Sequence, residues 1–345
     1  MQNTKLTFEL MTQDIAVVFL LGFLTFCVAM LITPIFTYFA YKYRLWGRPR
    51  THDVTGKQLT VINKLDVRRT VPRMAGIIIL VAVALVTLAF NLDRQQTWLP
   101  LAALIGAGAI GFIDDLINIR GWGGGVAGLR APVKLGLMTT VGAIGAWWFY
   151  YKLEFSNIHI PFAGDLSLGW LIIPVFILVI ISTSNAVNIT DGVDGLAGGL
   201  LASAFGAMGV IAMLQGNLGI AGFCLTVVGA LLAYLWFNIA PARFVMGDVG
   251  SFALGTALGV VAMLTNTLLL LPLIGLVFVA EAGSTLLQVL SKKLLHRKIF
   301  AAAPLHHHLE AAREWPKTKI TMRFWVIGQV CAALGIILAL VGGYI

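Results

Sequence analysis

Residues 15–41 spell IAVVFLLGFLTFCVAMLITPIFTYFAY, an apolar run without a charged side chain. At 1.5 Å per residue, a helix of this length spans the roughly 30 Å hydrocarbon core of a bilayer. The run begins after Asp14, lacks a small-residue cleavage site and is followed by a basic segment, so we interpret it as an uncleaved transmembrane helix. This run decides the fold class.

The composition of the whole chain supports the same fold class. Of its 345 residues, 59% are hydrophobic and 11% are charged, and the mean hydropathy is +0.91. Such values exclude an average soluble domain and indicate a polytopic membrane protein. The three cysteines all lie in apolar stretches, so we expect neither a disulfide nor a cysteine metal site.

Nine further stretches are apolar enough to cross a bilayer. With the first, they fall at 15–41, 75–92, 98–113, 133–151, 168–184, 198–215, 218–238, 252–265, 268–291 and 322–344. We predict an all-α polytopic membrane protein with about ten transmembrane helices, folded as a single domain over residues 1–345. One outer loop alternates as Asn157-Ile158-His159-Ile160, which predicts a small hairpin.

The basic residues set the expected orientation. With the N-terminus outside, the inner segments are 42–74, 114–134, 185–197, 239–251 and 292–321, and together with Arg323 they carry 21 of the 24 Lys and Arg. The positive-inside rule then places both termini outside. The same bias explains the net charge of +9, so we expect membrane lipid around the chain and no nucleic-acid partner.

Five of the fifteen acidic residues lie in three glycine-containing inner segments: Asp114, Asp115, Asp191, Asp194 and Asp248. Charges beside a bilayer are costly, so their clustering indicates a shared cation or substrate, although each one alone would serve equally well as a helix cap. Because consecutive helical residues point about 100° apart, we expect Asp114 and Asp115 to have different roles. Hard oxygen donors without cysteine favour magnesium over zinc.

Two inner segments combine polar side chains with glycine. In the first, Asn185, Asn188, Asp191 and Asp194 follow at intervals of three, and the glycines at 192 and 195 permit a helix break that turns all four inward. The second, residues 238–251, has glycines that allow a ligand to approach and that begin the next helix. Both patterns predict helix ends that open into a polar site.

The histidines and an acid in the ninth stretch are further candidates. The triplet His306-His307-His308 holds half of the six histidines and lies on a basic inner segment. Imidazole suits phosphate near neutral pH, and a metal-binding tract is the alternative. Glu281 lies within the bilayer, where it is either functional or bonded to a neighbouring helix.

Five motifs follow one another between residues 111 and 325. They are Gly111-Phe112-Ile113-Asp114-Asp115, Gly128-Leu129 with Lys134, residues 185–196, Met246-Gly247-Asp248-Val249-Gly250-Ser251, and residues 297–310 with Arg323-Phe324-Trp325. In order and location they resemble the polyprenyl-phosphate N-acetylhexosamine-1-phosphate transferase superfamily. Pro304-Leu305 before the histidines is similar to its phospho-N-acetylmuramoyl-pentapeptide transferase branch. The resemblance implies a cytoplasm-facing cleft in the bacterial inner membrane, a magnesium requirement and a homodimer.

The resemblance also implies roles for individual residues. Asp248 is the principal magnesium ligand with Asp115 beside it, and Asp114 is a candidate base for the lipid phosphate or a group that positions it, because a phosphate monoester is already mostly ionised. Catalytic candidates are Asp114, Asp115, Asp248 and His307. Substrate-binding candidates are Arg68, Arg73, Lys134, Asn185, Asn188, Asp191, Asp194, Asn238, Phe244, His306 and His308.

Two segments depart from the family pattern. The first inner loop usually resembles Lys-x-x-Thr-Pro-Thr-Met-Gly-Gly, whereas this chain has Arg68 for the Lys and Arg73 for the second Thr. An aromatic residue usually precedes Met-Gly-Asp and is thought to stack on uracil; here Val245 holds that place and Phe244 comes one position earlier.

The implied reaction transfers phospho-MurNAc-pentapeptide from UDP-MurNAc-pentapeptide to undecaprenyl phosphate. It yields lipid I and UMP and is the first membrane step of peptidoglycan synthesis. One alternative is transfer of GlcNAc-1-phosphate from UDP-GlcNAc to a polyprenyl phosphate. Another is a membrane transporter, but a carrier is expected to place charges near the midplane, whereas here all but Glu281 cluster at one face.

Overall fold

The computed structural model describes residues 2–46, 71–122 and 128–345, with side chains from residue 13 onward. Within these ranges the helices are α1 (Gln2–Lys42), α2 (Gly76–Phe90), α3 (Trp98–Arg120), α4 (Ala131–Tyr151), α5 (Ile172–Thr190), α6 (Leu196–Leu214), α7 (Leu218–Asn238), α8 (Gly247–Leu264), α9 (Leu271–Ile274), α10 (Leu276–Leu294), α11 (Leu305–Arg313) and α12 (Lys317–Val341). A short 3₁₀ helix covers Gly169–Leu171. Strands β1 (Asn157–Ile160) and β2 (Gly164–Ser167) pair antiparallel, which confirms the predicted hairpin.

The all-α polytopic membrane fold is confirmed. Each of the ten predicted stretches corresponds to a helix, and in the described parts of the chain seven helices are long and apolar enough to cross a membrane: α1, α3, α5, α6, α7, α8 and α12. Helix α2 is also apolar but has only 15 residues. The orientation of the bundle across the membrane stays a prediction.

Several helix ends differ from the predicted stretches. Helix α3 does not stop at residue 113 but continues to Arg120, where Gly121 with φ of 71° ends it, so Asp114 and Asp115 lie inside a helix. Helix α8 begins at Gly247 rather than at 252, which places Asp248 in its first turn. The ninth stretch is divided at Gly275 into α9 and α10.

Helix α8 lies at the centre of the bundle, and all of its residues are buried. Its neighbours approach closely because glycine occupies the contacts, as expected where helices associate by packing in lipid. A Cβ on Gly111 of α3 would meet the backbone of Asp248, and one on Gly76 of α2 would meet the backbone of Gly250. Gly255 of α8 lies against the backbone of Ser184 in α5. The ends of four helices are thereby brought together at one end of the bundle.

The break between α5 and α6 is the one that the glycines predicted. Helix α5 ends at Thr190 and α6 begins at Leu196, after Gly195 with φ of 75°. The first turns of α12 brace this connection, because Thr321 Oγ1 donates to the Asp194 carbonyl at 3.1 Å and Trp325 Nε1 donates to the Gly195 carbonyl at 3.1 Å. The polar turn is held firmly from outside.

The segment before α2 is fixed to the segment before α8 by backbone hydrogen bonds. Val245 N donates to Pro72 O at 2.9 Å, Ala75 N donates to Val245 O at 3.1 Å, and Gly76 N donates to Met246 O at 2.9 Å. Between them, Arg73 N donates to Leu45 O at 2.8 Å. The backbone of residue 73 therefore has a defined place beside the start of α8.

Candidate active site

A lysine bridge joins three helices at the end of the bundle where α3 and α8 meet. Lys134 Nζ, from the first turn of α4, lies 3.0 Å from Asp114 Oδ2 and 2.9 Å from Asp248 Oδ2. Both carboxylates are almost fully buried. Asp114 Oδ1 accepts a further hydrogen bond from Leu129 N at 2.6 Å, and Gly128 with φ of 101° allows this close approach. Both oxygens of Asp114 are therefore occupied by donors.

Asp115 faces a different cation. Its Oδ1 lies 3.5 Å from Arg73 Nε, and its Oδ2 accepts a hydrogen bond from Val249 N at 3.1 Å in the first turn of α8. Arg73 Nη2 lies 3.7 Å from Asp248 Oδ1. As expected for consecutive helical residues, Asp114 and Asp115 have separate sets of partners.

The first polar segment contributes Asn188 and Asp191 to the same cluster. Asn188 Nδ2 donates to Asp248 Oδ1 at 2.9 Å and to Ser251 Oγ at 2.9 Å. Asp191, immediately after α5, lies near the Gly247 amide, which favours the ionised form of the carboxyl. The pKa of Asp191 is raised to about 8, chiefly by burial; the attraction of Arg73 opposes this shift, and the nearby charges of Asp248 and Asp115 add to it.

The neighbouring carboxylates also determine the charge state of Arg73. Burial alone would lower the pKa of Arg73, but the charges of Asp115, Asp248 and Asp191 outweigh this effect, and the pKa is raised above its ordinary value. Arg73 therefore stays charged near neutral pH.

Asp194 and Asn238 connect the turn after α5 to the loop before α8. Asp194 Oδ2 accepts from Ala242 N at 3.1 Å. Asn238 is buried, with its Oδ1 accepting from Gly195 N at 2.9 Å and its Nδ2 donating to the Phe244 carbonyl at 2.9 Å. These bonds hold the loop before α8 against the turn after α5. Both side chains thus position the two glycine-containing segments relative to each other.

Phe244 has no exposed surface. Its ring packs edge-on against Phe36 at 5.8 Å between centroids and tilted against Phe237 at 5.7 Å. In this arrangement it presents no face on which uracil could stack.

One predicted substrate residue, Asn185, is not brought into the cluster. Asn185 is exposed, and its Nδ2 donates back to Ile181 O at 2.8 Å within α5. Arg68 lies outside the described residues, so its predicted role stays a prediction.

The histidine triplet begins α11, and its first member has a buried acidic partner. His306 and Glu281 are both almost fully buried, with His306 Nδ1 2.8 Å from Glu281 Oε2 and His306 N donating to Glu281 Oε1 at 3.1 Å. The other ring nitrogen, Nε2, has no hydrogen-bond partner and lies against Gly192, next to Asp191. Glu281 therefore fixes the ring so that a free nitrogen reaches the turn after α5. Of the two sequence-based alternatives for Glu281, bonding to a neighbouring helix is observed, and a functional role stays a prediction.

The other two histidines point elsewhere. His307 Nδ1 lies 3.4 Å from Glu310 Oε2, and its ring is tilted by 55° against the ring of His306 with 4.3 Å between centroids. Burial, reinforced by His306 and Lys317, lowers the pKa of His307 to about 3. His308 Nδ1 accepts from Ala301 N at 3.2 Å and so shapes the loop before α11. Three neighbouring histidines thus have three different environments.

The arrangement fits a magnesium ion held with the help of a substrate. Three carboxylates, those of Asp114, Asp115 and Asp248, lie beside two cationic side chains, so acidic groups outnumber cations even with Asp191 neutral. Oδ1 of Asp115 is buried without a hydrogen-bond partner. No group of three or more His, Cys, Asp or Glu side chains within the described ranges forms a complete metal site. Magnesium commonly takes one or two carboxylates and completes its shell with phosphate oxygens and water.

The chain is similar to a family with a recognised sequence profile. The profile described as glycosyl transferase family 4 matches residues 97–266, which extend from the residue before α3 to just beyond the end of α8. That range holds the lysine bridge, Asp115, Asn188 and Asp191.

Whole-length relatives extend the similarity to both ends of the chain. A protein of Chloroflexus aggregans is 39% identical over 96% of this chain and 92% of its own length. A protein of a Geobacillus species is 38% identical over 91% of this chain and 95% of its own length, and one of Geobacillus kaustophilus is 41% identical over 77% and 82%. All three are named phospho-N-acetylmuramoyl-pentapeptide-transferase.

Proposed function

Because the chain belongs to the phospho-N-acetylmuramoyl-pentapeptide-transferase family, we propose that it transfers phospho-MurNAc-pentapeptide from UDP-MurNAc-pentapeptide to undecaprenyl phosphate. The products are lipid I and UMP, and the step is the first membrane reaction of peptidoglycan synthesis. The observation that carries the proposal is the lysine bridge between Asp114 and Asp248, flanked by Asp115 and Arg73, at one end of a membrane bundle.

The reaction brings negative charges together. A phosphate oxygen of undecaprenyl phosphate attacks the sugar-bearing phosphorus of the donor, and the bond from that phosphorus to the bridging oxygen breaks, so UMP leaves with that oxygen. No net proton transfer is needed if the lipid phosphate is fully ionised, as it mostly is at neutral pH. The main demand on the protein is therefore positioning and electrostatic stabilisation.

Lys134 and Arg73 meet this demand directly. Both cationic side chains lie beside buried carboxylates, so positive charge is present before the substrates arrive, and Lys134 is fixed there by contacts to two carboxylates. Preorganised charges of this kind need no rearrangement during the reaction and are effective in a site that excludes water.

Asp114 is better suited to positioning than to general base catalysis. Each of its oxygens accepts one hydrogen bond, from Leu129 N or from Lys134 Nζ, and these bonds fix the carboxylate beside the ammonium of Lys134. We propose that Asp114 orients Lys134 toward the reacting phosphates.

Asp248 and Asp115 are the proposed magnesium ligands. Both carboxylates lie at the meeting point of α3 and α8, and Asp115 Oδ1 is the acceptor without a hydrogen-bond partner. When bound, the metal neutralises phosphate charge in the transition state. Asn188, through its bond to Asp248 Oδ1, orients that ligand.

His306, which lies against the turn after α5, is the proposed contact for the UDP-linked donor. Its Nε2 reaches Gly192 while Nδ1 is held by Glu281, so the pair supplies a ring nitrogen of fixed direction. Asp191 and His307 border the same region. This arrangement suits recognition of the diphosphate or the sugar.

We place the site at the cytoplasmic face of the bacterial inner membrane. The placement rests on the distribution of Lys and Arg and on the cytoplasmic nature of nucleotide-linked donors. The homodimer implied by the resemblance is tested by light scattering of the 37.2 kDa chain in detergent.

A donor comparison tests the function. The purified chain is incubated in detergent with magnesium, undecaprenyl phosphate and either UDP-MurNAc-pentapeptide or UDP-GlcNAc, and UMP and the labelled lipid product are measured. We expect both products with the first donor and neither with the second. Turnover of UDP-GlcNAc alone would assign the chain to GlcNAc-1-phosphate transfer instead, and no turnover of either donor would overturn the proposal.

A further inference from the structure

Arg73 lies between the two proposed magnesium ligands, at the position where the family pattern has a threonine. Its Nε is 3.5 Å from Asp115 Oδ1 and its Nη2 is 3.7 Å from Asp248 Oδ1. Charge-assisted hydrogen bonds between such groups are shorter, about 2.7 to 2.9 Å. Arg73 Nε and Asp115 Oδ1 are both buried and both lack a hydrogen-bond partner. The guanidinium therefore offsets the charge of the two carboxylates but does not form close hydrogen bonds with them.

Lys134 is bound to Asp248 in a different way. It approaches Oδ2 of Asp248 at 2.9 Å and also bonds Asp114 at 3.0 Å, so it is a fixed part of the site. Arg73 approaches the other oxygen, Oδ1, from the side of Asp115. Any cation that binds Asp115 and Asp248 together has to share this side with the guanidinium.

The backbone at residue 73 cannot move away easily, because the segments on both sides of it are hydrogen-bonded to the start of α8 and to Leu45. The side chain has more freedom, since 29% of its surface is exposed. The guanidinium can therefore move away from Asp115 and Asp248 by rotation of the Arg73 side chain.

We propose that Arg73 is a resident cation of this site, which competes with the divalent cation for Asp115 and Asp248 and keeps the affinity for that cation low. The inference rests on the proposed metal site of the transferase. Its physical basis is the repulsion between a guanidinium and a divalent ion that share the same two ligands at a few ångströms, in a region that water screens poorly. Substrate phosphates would then be needed to bind the metal tightly.

Binding of Mn²⁺ to the full chain in detergent tests this inference without turnover. Electron paramagnetic resonance gives the free Mn²⁺ concentration, and hence the Kd, in the absence of substrates. We expect Arg73→Gln and Arg73→Thr to bind Mn²⁺ at least about tenfold more tightly than the unmodified chain, because both remove the competing charge. Arg73→Lys, which keeps the charge, should stay within about threefold of the unmodified chain.

Two controls locate the effect. Arg130→Thr removes the same charge from an exposed position at the start of α4 and should leave the Kd unchanged. Asp248→Asn should abolish the Mn²⁺ binding that Arg73→Gln strengthens. Thermal unfolding of every variant shows whether it is folded.

Equal or weaker Mn²⁺ binding in folded Arg73→Gln and Arg73→Thr would overturn the inference, as would equal strengthening in Arg73→Lys. These outcomes differ from failure of the proposed function. If Asp248→Asn still binds Mn²⁺ normally, the metal site itself is wrongly placed. If the unmodified chain turns over UDP-GlcNAc alone, the donor is wrong while the role of Arg73 stands.

Discussion

The lysine bridge makes the sharpest prediction for activity. Replacing Lys134 with Met keeps most of the side-chain volume but removes the ammonium that lies 3.0 Å from Asp114 and 2.9 Å from Asp248. The ammonium is a preorganised positive charge at the proposed site of phosphate transfer, and loss of one such group typically raises the barrier by about 2.7–4 kcal/mol. Since each 1.36 kcal/mol in the barrier is a factor of ten, we expect UMP release to fall by about 10² to 10³.

The assay measures initial rates of UMP release from UDP-MurNAc-pentapeptide at saturating magnesium. Lys134→Arg keeps the charge and should recover part of the activity, while Lys152→Met removes a lysine at the far end of α4 and should leave the rate unchanged. A folded Lys134→Met within threefold of the unmodified chain would refute the bridge as a catalytic element, and so would an equal loss in Lys152→Met.

Three further predictions concern packing, histidine orientation and pH. Gly111→Ala places a Cβ against the backbone of α8, and the overpacking cost of about 1–3 kcal/mol should lower the thermal midpoint of unfolding. Gly136→Ala has nothing near its Cβ and should leave the midpoint unchanged or slightly higher. An equal effect of both substitutions would contradict the close packing of α3 on α8. Glu281→Gln puts an amide where His306 Nδ1 has a carboxylate, so we expect a loss of UMP release of at least about tenfold with a shifted pH profile, and an unchanged profile would remove the positioning role. The lowered pKa keeps His307 neutral in the folded chain, whereas the unfolded chain takes up a proton near pH 6.5, so the free energy of unfolding falls as the pH falls. Between pH 7.5 and 5 we expect this free energy to fall by about 2 kcal/mol. Thermal unfolding of His307→Gln should not show this contribution.

Much of the fold follows from the sequence because bilayer crossing requires long apolar helices, and each predicted stretch has a helix. The helix ends were less predictable. A hydropathy criterion stops at the first charge, so it ended the third helix before Asp114, although the backbone continues to Arg120. The charged turn stays helical because its carboxylates find partners on α4 and α8.

The acidic centre of the site was predicted from residue types, but the partners of the individual side chains were not. Asn238 and Asp194 were expected to bind substrate, and the structure gives both of them hydrogen bonds to backbone groups of neighbouring loops. Nothing in linear spacing reveals such contacts, because they depend on how closely the loops approach. The glycines beside these residues were the available signal.

The pair of Glu281 and His306 shows the same limit. The sequence indicates Glu281 and His306, 25 residues apart, as separate candidates. The packing of α11 against α10 brings their side chains within 2.8 Å, and the sequence does not reveal this contact. Phe244 was likewise named for its ring, and its neighbours bury that ring completely. Arg73 was recognised as a departure, and its place between two carboxylates required the fold.

Asp248 is the central residue of the proposed phosphate-transfer site, since it contacts Lys134, Asn188 and Arg73. The decisive measurement is magnesium-dependent UMP release from UDP-MurNAc-pentapeptide and undecaprenyl phosphate by the unmodified chain and by Asp248→Asn. We predict UMP formation by the unmodified chain that stops when magnesium is chelated, and a loss of at least about 10³ in a folded Asp248→Asn. Undiminished UMP release by Asp248→Asn would contradict a phosphate-transfer site at the meeting point of α3 and α8.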